Sequence, residues 1–282
     1  MTYDIFRIIG LVRFYALRLL SVAPTWYYVI FGASVIACIV LPYLMGGLNF
    51  AIILSKKKYG VDIRDFGSGN AGMTNMRRTF GKKAGVITLA GDMAKTVVSC
   101  LLGYFLLGRL GAYIAGFFCM MGHMFPMKYK FKGGKGVACT AIVVLMTDLG
   151  SPVYYFPVVF VILFACFAVI VLGTKYVSLG SIMAVALYPV FRNAFEMSAF
   201  TAMSVEIAKS IESGVALDPY RQMLYSISLT DVSFYSIISV LIAVMVIFMH
   251  RANMKRMLNR EEPKFELGKK AEKSIFEEKD GN

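Results

Sequence analysis

The stretch YVIFGASVIACIVLPYLMGGLNFAIIL, residues 28–54, holds no charged side chain, and Lys56, Lys57 and Lys58 close it. A membrane helix needs roughly 20 consecutive apolar residues. This run is longer, which leaves room for tilt or for a kink at Pro42 or at the pair Gly46–Gly47. Lysines just beyond an apolar span mark the side of the membrane where positive loops collect. Outward from this stretch the pattern repeats. Further apolar segments cover about Ala84 to Gly108, Leu110 to Met127, Val137 to Leu149, Pro152 to Leu172, Val177 to Phe191 and Val232 to Met249. The one from Val137 is short, so it is read as starting within the preceding loop or as reentrant. The fold expected is therefore all-α, a polytopic transmembrane helix bundle of about seven spans.

Composition agrees with that reading. The chain of 282 residues is 58% hydrophobic, with a mean hydropathy of +0.65. A net charge of +13 would suit nucleic acid, but the basic residues crowd into loops between apolar spans. Topology and anionic lipid headgroups account for them, so membrane lipids and no nucleic acid are the expected partners. Cys38, Cys100, Cys119, Cys139 and Cys166 lie in apolar stretches without ligand spacing and read as small core residues. Residues 1–25 are apolar but carry Arg7, Arg13 and Arg18, which suits an amphipathic interfacial arm better than a span or a cleaved leader. Residues 26–264 form the membrane domain and 265–282 a charged tail. Seven spans put loops 55–83, 128–136, 173–176 and the tail on one side. Those loops hold most of the positive charge, so that side is read as cytoplasmic and the amino terminus as outside. The three early arginines run against this rule. The longest polar connection, 192–231, is expected to contain an amphipathic helix.

Chemistry concentrates in the basic loop GHMFPMKYKFKGGKG, residues 122–136. Lys128, Lys130, Lys132 and Lys135 stand there among Gly133, Gly134 and Gly136. Cations beside glycines suit a phosphate, because glycine lets backbone N–H groups approach an anion closely. The competing reading is a topology-setting loop. A second glycine-rich segment, GVDIRDFGSGNAGMTNMRR, covers 60–78. Gly67, Gly69 and Gly72 fit G-x-G-x-x-G, yet membrane spans flank them where a dinucleotide site requires a strand and a crossover helix. Dinucleotide binding is rejected. Ser68, Asn70, Thr74 and Asn75 remain as small hydrogen-bonding groups, with Arg77 and Arg78 as cations. Asp92 and Lys95 share one helical face inside an apolar segment, as a functional pair or a self-satisfied one. His123 precedes the basic loop, and His250, Asn253 and Arg256 repeat at three-residue spacing beyond the last span. Ser178 opens the sixth span, where it could cap the helix and aim its positive end at an anion. No nucleophile elbow, Walker frame or metal-ligand pattern occurs, so neither metal nor cofactor is expected.

Taken together, GSGNAGMTNMRR (67–78), GDMAK (91–95), GHMFPMKYKFKGGKGVA (122–138), KYVSLGSI (175–182) and HRANMKRMLNREEPK (250–264) resemble one family. It is the bacterial acyl-phosphate:glycerol-3-phosphate acyltransferases, integral enzymes of the cell inner membrane with seven spans and a cytoplasmic site. The resemblance implies transfer of a fatty acyl group from acyl phosphate to the 1-hydroxyl of glycerol 3-phosphate. The products would be lysophosphatidic acid and inorganic phosphate, the first acylation of phospholipid synthesis. It also implies a phosphate pocket from Ser68, Gly69, Asn70, Thr74 and Asn75, with Arg78 toward glycerol 3-phosphate. His123, Lys132, Gly134 and Lys135 would surround the anions, Ser178 would join them, and His250, Asn253, Arg256 and Glu262 would line the polyol side. Among these, His123, Lys135, His250 and Asn253 are the implied catalytic residues, with Asp92 and Lys95 as a supporting pair. The chain departs from the family pattern at Met73, where alanine is usual, at Thr96 for glycine, at Cys139 for threonine, and at Arg260–Glu261 before Glu262. Acyl phosphate is a mixed anhydride with a good leaving group, so direct transfer without an acyl-enzyme is expected. His123, His250 or a substrate phosphate oxygen would accept the hydroxyl proton. The competing class is a transporter or channel for phosphate or a phosphorylated solute. No internal repeat supports it, and the polar residues gather at one membrane face instead of the midplane.

Overall fold

The computed structural model describes residues 23–149, 157–213 and 219–265. Among these every regular element is a helix. The α-helices are α1 (Pro24–Gly46), α2 (Phe50–Tyr59), α3 (Met73–Phe80), α4 (Lys82–Met124), α5 (Val137–Leu149), α6 (Val158–Thr174), α7 (Val177–Glu212), α8 (Pro219–Met249) and α9 (Arg251–Leu258), and single 3-10 turns lie at Ile63–Asp65 and Met127–Tyr129. The amino-terminal arm, the start expected for the fifth span and most of the tail lie outside the described residues.

The first apolar stretch does not run unbroken to Leu54. It stops at Gly46, and Asn49 starts α2 by accepting a hydrogen bond from the Ile52 N–H at 3.1 Å. Lys56, Lys57 and Lys58 occupy the last turn of α2, where cations meet the negative end of the helix dipole, and Gly60 closes it at φ 69°. The second and third stretches form one long element, α4, broken where Leu107 and Gly108 leave helical geometry. Gly108 takes φ 64°, a turn conformation that glycine adopts without strain. The two limbs then fold back on each other so closely that a side chain at Gly103 would strike the Gly111 carbonyl.

This hairpin is the hub. α1 lies along it, and small residues at the crossing permit the contact, since a Cβ on Gly46 would meet the Cys119 backbone and one on Gly122 the Tyr43 carbonyl. α3, α5 and α8 also pack on α4, and α6 pairs with α7. Outward faces stay apolar, as with Ile36, Leu101 and Val169, which suits lipid contact. The apolar stretches of the sequence fall on helices among the described residues, but not one to one: the first is divided between α1 and α2, and the second and third share α4. Among the described residues, Pro24–Tyr59 (α1 with α2), Lys82–Tyr129 (the α4 hairpin and the turn after it) and Val177–Ser198 are long and apolar enough to cross a membrane, and the pair Ser233–Met249 with Arg251–Leu258 joins them if its 53° bend is one span. α5 and α6 are shorter.

The 192–231 connection departs most from expectation. α7 continues through Phe191 to Glu212, and α8 begins at Pro219, well before Val232. Arg192 and Glu196, read as part of a polar connection, are buried. Glu196 Oε1 forms ion pairs with Arg109 Nη2 at 2.7 Å and Arg192 Nη1 at 2.5 Å. Both guanidiniums also lie against the stacked rings of Tyr113 and Tyr235. The cluster ties the α4 turn to α7 and α8 at the end of the bundle away from the glycine loops. Glu196→Gln keeps an acceptor but removes the shared negative charge. It is expected to destabilise the protein by about 1–3 kcal/mol, read as a lower unfolding midpoint in detergent. An unchanged midpoint would show the cluster to be idle.

Candidate active site

Two buried polar groups meet at the end of the bundle where the basic loop lies. The first sits within α4. Lys95 Nζ contacts Asp92 Oδ1 at 2.8 Å, the Gly46 and Leu48 carbonyls at 2.9 and 3.0 Å, and His123 Nδ1 at 3.0 Å. Asp92 Oδ1 stands 3.4 Å from the same imidazole nitrogen. Lys95 therefore fastens the break after α1 to the hairpin and also sets the imidazole. An ammonium can only donate, so His123 Nδ1 accepts and the ring proton sits on Nε2. That edge faces Gly134, where any side chain would collide with Nε2.

The second group draws on three distant segments. Lys135 Nζ donates to Asn253 Oδ1 at 2.6 Å. Asn253 Nδ2 donates to Ser178 Oγ and to Glu262 Oε1, each at 2.6 Å. Ser178 Oγ donates to Glu262 Oε1, and Arg256 Nε to Glu262 Oε2 at 2.9 Å. The 53° bend between α8 and α9 makes this possible, because it turns Asn253 and Arg256 toward Glu262. His250 occupies the bend, and its Nδ1 lies 2.8 Å from the Val246 carbonyl, which fixes the proton there and leaves Nε2 as an acceptor.

The electrostatics follow from burial and neighbours. Burial pushes the Lys135 ammonium down to about 8, with Arg256 and Arg78 adding to the effect and Glu262 opposing it. Burial likewise pushes His250 down to about 4, against the Val246 carbonyl, so its imidazole is neutral at ordinary pH. Burial alone would raise the Glu262 carboxyl, but hydrogen bonds from Ser178, Asn253 and Arg256 outweigh it and hold the group below its ordinary value. Lys135 and Arg256 thus stand near one carboxylate, with Arg78 near Lys135, and the excess positive charge suits a phosphoryl group.

The glycines act differently from the sequence reading. The N–H groups of Gly133 and Gly134 donate to the Met124 and His123 carbonyls, each at 3.1 Å. They cap the end of α4, so the loop lies flat against it and Lys135 emerges at a fixed point. In the first loop Asn75 also works inward. Its Nδ2 donates to the Phe66 and Ile63 carbonyls at 2.9 and 3.2 Å, and its Oδ1 accepts from the Ser68 N–H at 2.9 Å. Gly67 leaves the space this amide fills. Asn75 shapes the loop that presents Ser68, Gly69 and Asn70. Ser68, Gly69, Thr74 and Lys132 are exposed, whereas Asn70 and Arg78 are half-buried. Ser178 is not the cap of its helix, because α7 already begins at Val177 and its hydroxyl is engaged by Glu262 and Asn253. Thr96, one of the departures, is accommodated by bonding back to the Asp92 carbonyl at 2.9 Å.

Three residues escaped the sequence reading. Asn49 Nδ2 donates to the Ala71 carbonyl at 3.2 Å, joining the α1–α2 break to the glycine-rich loop. Arg64 Nη1 donates to the Tyr129 and Lys132 carbonyls at 2.9 and 3.2 Å, joining that loop to the basic one. Tyr43 donates to the Phe125 carbonyl at 2.7 Å. A lone asparagine after a Gly–Gly pair is the one signal that was available.

Comparison with known proteins identifies the family. The family described as glycerol-3-phosphate acyltransferase matches residues 36–260. The glycerol-3-phosphate acyltransferase of Bacillus subtilis (strain 168) is 34% identical over 226 residues, 80% of this chain and 95% of that protein. That of Clostridioides difficile (strain 630) is 35% identical over 249 residues, 86% and 99% of the two chains. Among solved structures, the glycerol 3-phosphate form of PlsY (YgiH), an integral membrane glycerol 3-phosphate acyltransferase, superposes with a TM-score of 0.61. It is 28% identical and covers 83% of this chain and 96% of its own. Its lysophosphatidic acid form gives a TM-score of 0.59 at 26% identity. The chain belongs to the glycerol-3-phosphate acyltransferase family and is a membrane protein. The transporter reading is set aside.

Proposed function

We propose that the protein transfers the acyl group of an acyl phosphate directly to the 1-hydroxyl of glycerol 3-phosphate, at the cytoplasmic face of a seven-span bundle in the bacterial inner membrane. The observation that carries this is the Lys135–Asn253–Ser178–Glu262–Arg256 cluster beside the glycine-rich loops. The hydroxyl oxygen attacks the acyl carbon, and the C–O bond to phosphate breaks with its electron pair leaving on phosphate. Lys135, with Arg78 and Arg256, meets the negative charge that develops on the departing group. Ser68 and Lys132 on exposed loops, and Thr74 in the exposed first turn of α3, reach phosphate oxygens, and Asn75 and Gly134 act by shaping the loops. The hydroxyl proton passes to His250 Nε2 or to a substrate phosphate oxygen. His123 is unsuited, since its Nδ1 faces an ammonium and its Nε2 already carries hydrogen.

Direct transfer is favoured by the state of Ser178, the one hydroxyl in the cluster. It donates to Glu262 and accepts from Asn253, and neither partner is a histidine base of the kind an activated serine uses. The test uses detergent-solubilised protein and acyl phosphate. Phosphate release is expected only when glycerol 3-phosphate is present, with no covalent acyl adduct in intact mass spectra. An adduct formed from acyl phosphate alone would overturn direct transfer. Turnover with another acyl donor and none with acyl phosphate would overturn the donor assignment.

A further inference from the structure

Arg77 has no role in the reading above, although it adjoins Arg78 in the glycine-rich segment. Its guanidinium lies 4.5 Å from the centroid of the Phe265 ring. The stem of Arg77 is itself fixed, because α4 approaches so closely that a Cβ on Gly85 would stand 2.7 Å from Arg77 Cβ. The Phe265 N–H donates to the Lys175 carbonyl at 2.7 Å, in the turn between α6 and α7. Phe265 is thus held by α3 on one side and by the α6–α7 turn on the other. At the opposite end of the same strap, the Glu261 N–H donates to the Arg256 carbonyl at 2.7 Å, and Arg260 makes the reversal at φ 60°. Glu262 lies between these two tethers.

We propose that Phe265 and Arg77 form a clasp that closes the 259–265 strap over the site and so positions the Glu262 carboxylate against Asn253, Ser178 and Arg256. Phe265 is a positioning residue and Arg77 is its post, not a phosphate ligand. The physical basis is preorganisation. A carboxylate on a strap tied at both ends loses little freedom on meeting its three donors, whereas one tied at a single end must be ordered at each binding event. Arg77 is also well suited to the face of an aromatic ring, where a planar guanidinium both stacks and contributes its charge. The kinetic consequence rests on the acyltransfer reading; the structural one does not.

The test therefore has two arms. In turnover assays Arg77→Met and Phe265→Leu are each expected to raise KM for glycerol 3-phosphate by about threefold to tenfold, with a smaller change in kcat, and Phe265→Tyr to restore it. Combined with Glu262→Gln, Phe265→Leu is expected to add nothing, because the two changes act through one contact. Additive losses would overturn the clasp. In limited trypsin digestion, Arg77→Met is expected to speed cleavage after Lys264 at least about threefold while the bond itself is unaltered. An unchanged cleavage rate would overturn the clasp whatever the activity. Faster cleavage in a protein that turns over no acyl phosphate would keep the clasp and remove the acyl-phosphate reading.

Discussion

Lys135→Ala is expected to lower kcat by about 10²–10³-fold and to leave the unfolding midpoint close to that of the parent. The size follows from its task, since the ammonium meets charge that appears on the leaving phosphate only as the acyl bond breaks. Its pKa gives the same claim a pH signature. Burial places it at about 8 in the free enzyme, so the cation is present below that pH and is lost as pH rises through it. kcat/KM is then expected to fall above about pH 8, whereas the limb in kcat moves higher because a bound phosphate favours the charged form. His250, pushed down to about 4, is neutral throughout and contributes no acid limb near neutrality. Lys135→Arg carries a guanidinium that does not titrate in this range, so it should remove the alkaline limb even if its rate is low. A limb that persists in Lys135→Arg would assign the titration to another group.

How much of this was legible in the sequence depends on the range of the interaction. Hydropathy located the apolar pieces and put a segment boundary at Gly108, where the α4 hairpin turns, because a membrane helix is specified by its own residues. Asp92 and Lys95 were legible as a pair for the same reason, being one turn apart on one helix. Arg192 and Glu196 show where this fails. An arginine and a glutamate four residues apart look like an exposed helix face, and nothing local indicates that Arg109 and two tyrosines surround them. The glycines fail differently. Composition correctly marked Gly133 and Gly134 as sites of close approach but not whether ligand or helix end would be approached, and the carbonyls of residues 123 and 124 took their N–H groups. The second cluster was legible only through resemblance, because Lys135, Ser178 and Asn253 come from three segments that no periodicity connects.

Lys95→Met is expected to destabilise the protein by about 3–5 kcal/mol, because it leaves the Asp92 carboxylate buried without its cation. The midpoint of thermal unfolding in detergent measures this. Adding Asp92→Leu should recover most of the loss, since an apolar pair of similar volume often replaces a buried ion pair at little cost. Activity should not recover with it. Lys95 also holds the Gly46 and Leu48 carbonyls and sets the His123 ring, and the double variant restores none of those contacts. The separation of the two readouts carries the argument. A pair that served stability alone would give a double variant both stable and active, whereas a pair that orients the site gives one that is stable and slow. Full turnover in the stable double variant would reduce Asp92 and Lys95 to packing and would free His123 from any part in placing the basic loop.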